Sequence, residues 1–71
     1  MPNHVAIVRE GLLEPKTLGQ KIRRARLEKR IFAKDLARLV GCTEDTILFW
    51  ERDEVFPQRV NLRRLKEVLN I

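Results

Sequence analysis

The tightest constraint on this 71-residue chain is a two-residue break, Gly41-Cys42, between two apolar patterns of helical spacing. Ala33, Leu36, Ala37 and Val40 line one face of a helix, and Gly41 follows where a helix end calls for a residue that accepts positive φ. Thr43 is a good N-cap, behind which Ile47 and Trp50 form an apolar pair on the next helix. The chain therefore contains two short helices, about 33–40 and 44–52, joined by a tight turn that contains glycine.

The flanking segments complete an all-α domain over residues 18–71. Thr17 and Gln20 have the spacing of a capping box, and Leu18, Ile22 and Ala25 share one face of a helix over about 18–29. Residues 53–61, with Pro57 inside, read as a loop, after which Leu62, Leu65, Val68 and Leu69 mark a fourth amphipathic helix. Residues 1–17 have no helical period. Pro2, Gly11 and Pro15 surround the β-branched run Val5-Ala6-Ile7-Val8, the pattern of a tail or of a short strand that needs a partner.

Size and composition remove whole classes of function. A chain this short buries only about 60 to 65% of its unfolded surface, too little to enclose a large catalytic cleft. No nucleophile and base stand together, and no glycine-rich phosphate loop is present, so an enzyme is not expected. One Cys and one distant His exclude an internal disulfide and a four-ligand zinc site; no metal and no cofactor is expected. Cys42 at the turn reads as a small apolar residue and Trp50 as core. The longest apolar runs are four residues, Val5 to Val8 and Ile47 to Trp50, far below a membrane span. With no signal peptide pattern either, a cytoplasmic protein without membrane contact is expected.

Charge is distributed in blocks. The net charge is +5, yet residues 18–31 carry six Lys or Arg against one acid, residues 43–56 carry five acids against one Arg, and residues 57–71 carry four bases against one acid. Clustered arginine is the footprint of a partner that carries phosphates, and it is also a common solvated face of small helical domains. Lys21, Arg23, Arg24, Lys29 and Arg30 lie off the apolar face of the first helix, and Arg59, at the end of the loop, is joined by Arg63 and Arg64 after it.

Residues 18–71 resemble the lambda-repressor-like, Xre/Cro-type helix-turn-helix domain of bacterial and phage transcription regulators. The resemblance rests on Leu18-Gly19, Ile22-Arg23, Arg26, Leu36-Ala37, Val40-Gly41, Thr43, Ile47, Trp50-Glu51, Pro57 and the closing Leu62, Leu65 and Leu69. It implies a small four-helix domain whose third helix enters the DNA major groove, acting as a dimer on a two-fold site. Four residues depart from the family pattern. Phe32 and Ala33 stand where the family commonly has a Ser or Thr cap followed by a phosphate-holding Gln. Arg30 and Asp53 stand where it has glycine after the first and third helices.

The resemblance also assigns roles. Thr43, Glu44, Asp45, Leu48 and Phe49 become candidates for reading base edges, and Arg23, Arg24, Lys34, Arg52, Arg59 and Arg63 for holding phosphates. Arg26 and Glu51 become an ion pair between the first and third helices. Read from the residues themselves, Glu44 and Asp45 have two roles open: favouring the helix dipole, or accepting a hydrogen bond from cytosine N4. Leu48 and Phe49 suit thymine methyl groups or a protein partner. Three functions follow as expectations: a sequence-specific regulator on double-stranded DNA, a protein-interaction module anchored by Leu48 and Phe49, or a non-specific nucleic-acid binder.

Overall fold

The structure is a computed structural model that describes residues 15–71. Four helices follow in order: α1 (Leu18–Glu28), α2 (Ala33–Val40), α3 (Glu44–Glu51) and α4 (Arg59–Leu69). This is the all-α domain expected from the apolar spacing. Among the described residues there is no strand. The tail or pairing strand expected over 1–17 lies, except for its last three residues, outside the described residues.

Thr17 starts α1 by accepting a hydrogen bond from Gln20 N at 3.1 Å, as a capping box requires. The return bond is displaced by one residue, because Gln20 Oε1 accepts from Lys16 N at 2.7 Å and not from Thr17 N. Thr17 is also held from outside the helix. Its hydroxyl donates to Asp53 Oδ2 at 2.7 Å, and Gly19 N donates to Asp53 Oδ1 at 2.9 Å. The residue that ends one helix thus satisfies an orphan donor at the start of another.

α1 stops at Glu28, one residue short of the expected Lys29, which becomes its cap. Arg30 then takes φ 59°, and Ile31 N reaches back to Arg26 O at 3.1 Å. A glycine would take this conformation without strain. Arg30 is exposed and forms no ion pair among the described residues, so Arg30→Gly should stabilise the domain by about 0.5 to 1 kcal/mol, relief of the left-handed strain outweighing glycine's greater unfolded entropy. A lower urea midpoint for the variant would contradict this.

α2 spans the expected residues and ends at Gly41, whose φ of 96° turns the chain while its N–H bonds Ala37 O at 2.7 Å. Thr43 caps α3 by accepting from Thr46 N at 3.2 Å. α3 closes at Glu51, with Arg52 as its cap and Asp53 at φ 61°. α4 begins at Arg59, three residues before the expected Leu62. Its first turn was invisible in the sequence for a physical reason: Arg59 and Val60 are exposed, and Gln58 makes no side-chain cap, so neither apolar period nor capping chemistry announces it.

The core collects Ile22 and Ala25 from α1, Leu36, Ala37 and Val40 from α2, Ile47 and Trp50 from α3, and Leu65 and Leu69 from α4. Leu18 and Val68 pack at its edge, whereas Leu62, expected on the same face, is only half-buried. α3 rests on α1 and α2, and α4 rests on the same two helices; α3 and α4 share little contact. Among the described residues no helix covers the far side of α3.

Candidate nucleic-acid interface

The turn at Gly41 and one buried ion pair set the position of α3. Arg26 on α1 grips Glu51 at the end of α3 through two bonds, Nε to Oε2 at 2.6 Å and Nη2 to Oε1 at 3.1 Å. The remaining Nη1 donates to Ile31 O at 3.0 Å. The side chains are only 12% and 4% exposed, so the pair forms a bidentate, charge-assisted contact away from bulk water. The pairing implied by the family resemblance is therefore present in the structure. At the same end of α3, Gly19 lies so close that an added Cβ would stand 2.6 Å from Asp53 Oδ1 and from Glu51 O, and nearer still to Trp50 O.

Of the residues expected to read bases, Glu44, Asp45 and Phe49 are exposed along α3. Both acids lie in its first turn, where the positive end of the helix dipole stabilises each by roughly 0.3 to 1 kcal/mol. Thr43 is exposed, but its hydroxyl is engaged as the cap and pairs with Thr46 Oγ1 at 2.9 Å. Leu48 differs from the expectation of an outward anchor: it is half-buried and packs against the core. Phe49 is left as the one large hydrophobic of α3 presented to solvent.

The expected phosphate contacts fall into two groups. Arg24 pairs with Glu28 at 3.1 Å and Arg52 with Glu54 at 3.3 Å, so part of their charge is already answered. Arg23, Lys34, Arg59 and Arg63 are exposed and have no ion pair among the described residues. Lys34 Nζ sits 5.9 Å from the centroid of Phe32, the exposed N-cap of α2 that makes no side-chain cap bond. A shallow groove lined by Arg26, Phe32, Ala33, Lys34 and Glu44 runs between the starts of α2 and α3. Arg64, read from the sequence as one of the basic face, instead donates Nη1 to Val40 O at 3.0 Å and ties α4 to the end of α2.

Two contributors escaped the sequence reading. Asp53 appeared only as a replacement for a turn glycine, yet its carboxylate joins the end of α3 to the start of α1. Arg64 gave no signal that separated it from its neighbour Arg63. The Gly19 position did carry one, since a glycine inside a helix costs stability unless packing demands it. Burial pushes the Cys42 thiol up, which keeps it protonated at neutral pH. Among the described residues no group of His, Cys, Asp and Glu could hold a metal ion, and no helix is long and apolar enough to cross a membrane. Comparison with protein-family models, with curated proteins and with solved structures finds no match for this chain.

Proposed function

We propose that the protein is a sequence-specific DNA-binding regulator of the lambda-repressor-like, Xre/Cro helix-turn-helix type, reading the major groove with α3. The observation that carries this reading is the uncovered outer side of α3, held at a fixed attitude by the Gly41 turn and the Arg26–Glu51 pair. A helix that is to read base edges needs one exposed polar and apolar face on a rigid support. The basic side chains of α1, α2 and α4 supply affinity through phosphates, and the resemblance implies two protomers on a two-fold site. The protein-interaction alternative drew on Leu48 and Phe49 together, and the inward packing of Leu48 removes half of that anchor.

Salt dependence tests the DNA reading against that alternative. Arg23, Lys34, Arg59 and Arg63 are the expected phosphate contacts with no ion pair among the described residues, and four such contacts give log K against log[salt] a slope of about −4 for each protomer bound. Arg59→Gln or Arg63→Gln should each reduce the slope by about one for each protomer bound. Fluorescence titration of a labelled duplex over a salt series measures it. A slope near zero would reject nucleic-acid binding and favour the interaction module.

A further inference from the structure

Phe49 on α3 and Arg52, the cap of that helix, stand three residues apart on one side, with the guanidinium over the ring. The guanidinium carbon of Arg52 lies 5.4 Å from the ring centroid of Phe49. Both side chains face solvent: Phe49 is 41% exposed and the Arg52 side chain 53%. Glu54 sits at the Nε side of the guanidinium, 3.3 Å away, and the Nη1–Nη2 end makes no hydrogen bond among the described residues. The arginine is thus stacked, oriented and half satisfied, with one two-donor edge open.

We propose that Phe49 and Arg52 together read a two-base-pair step in which a pyrimidine bearing a C5-methyl group neighbours a guanine. The inference rests on the DNA-binding reading of α3 and adds the bases it prefers. In the major groove only guanine offers two acceptors, O6 and N7, to a bidentate donor, and only a C5-methyl pyrimidine offers an apolar surface. The Phe49 ring covers the methyl group; Arg52 Nη1 and Nη2 donate to the guanine. Neighbouring base pairs rise by about 3.4 Å, so two groups 5.4 Å apart are able to span adjacent pairs.

Electrostatics favours guanine over a phosphate as the target of Arg52. A guanidinium paired with Glu54 has little net charge to offer an anion, and the carboxylate repels the phosphate oxygens. Guanine O6 and N7 are neutral acceptors, and the fixed fork geometry matches them whatever the net charge of the pair. This reassigns Arg52 from holding the backbone to setting specificity.

The test uses the full chain and the duplex it enriches from a random-sequence library. Replacing the thymine by uracil removes the methyl alone, and affinity should fall about fourfold, the worth of one buried methyl. Replacing the thymine by 5-methylcytosine, with guanine opposite, should retain more binding than unmethylated cytosine there, which tells methyl recognition from thymine recognition. Replacing the guanine by 7-deazaguanine removes one of the two acceptors and should weaken binding about tenfold. Phe49→Ala should abolish the thymine–uracil difference, and Arg52→Gln the deazaguanine difference. Both residues are exposed, and circular dichroism of each variant verifies the fold. An enriched motif in which neither base change matters, or in which Arg52→Gln weakens all duplexes equally and lowers the salt slope by about one, would overturn the proposal while leaving DNA binding intact. Failure to bind any duplex would overturn the DNA reading itself.

Discussion

Glu51→Ala should remove about half of the stability of the domain. A domain of this length is held by about 4 to 10 kcal/mol in total. Truncating Glu51 leaves the Arg26 guanidinium, 12% exposed, with one backbone carbonyl where it had a bidentate carboxylate as well. Stranding one partner of such a buried pair costs about 3 to 5 kcal/mol, because desolvation is no longer offset. Arg26→Ala should do comparable damage from the other side. Replacing both residues removes the stranded charge, so the double variant should be more stable than the sum of the single losses allows. Urea unfolding of the four proteins gives the coupling directly, and it should stand well above the 0 to 1 kcal/mol of exposed pairs. Coupling below about 0.3 kcal/mol would mean that the pair does not hold α3 to α1.

Gly19→Ala should also destabilise strongly, against the rule that alanine improves a helix. In an open helix this exchange gains up to about 1 kcal/mol. Here the new methyl carbon would meet Trp50 O, Glu51 O and Asp53 Oδ1, the last two at 2.6 Å. Two of the three are backbone oxygens at the end of α3, which cannot rotate aside. Overpacking of this kind costs about 1 to 3 kcal/mol or more, and it would separate Asp53 from the Gly19 N–H at the same time. The net loss should be about 2 kcal/mol, lowering Tm by about 10 °C in a domain of this size. An unchanged or higher Tm would show that α1 and α3 separate easily, and with that the fixed attitude of α3 would be lost as an explanation.

What the sequence disclosed follows from which interactions leave a periodic trace. Ile22, Leu36, Val40, Ile47 and Leu65 were legible because burial on a helix recurs every three or four residues, and all are fully buried. Gly41 was legible because few residues accept its φ of 96°. The start of α4 was not, since Arg59 and Val60 bury nothing. Nor were the long-range ties of Asp53 to Thr17 and Gly19 or of Arg64 to Val40 O, which join positions far apart in the chain with no period to betray them. At the candidate interface, spacing put Leu48 and Phe49 together as neighbours. Only the packing of α3 against α1 and α2 separates an inward Leu48 from an outward Phe49.

The central claim is that the outer face of α3 reads base sequence, and parallel selections from a random duplex library test it most directly. Three proteins are compared: the wild type, a variant stripped of its outward α3 side chains (Glu44→Gln, Asp45→Asn, Phe49→Ala), and Arg63→Gln on α4. All of these positions are exposed, so the fold should survive, with about 1 kcal/mol lost from the helix dipole in the first variant. The wild type should enrich a defined motif. Arg63→Gln should return the same motif at lower affinity, because a phosphate contact carries no sequence information. The α3 variant should return a motif altered at one or more base pairs. An unenriched wild-type pool, or one identical motif from all three proteins, would contradict the claim.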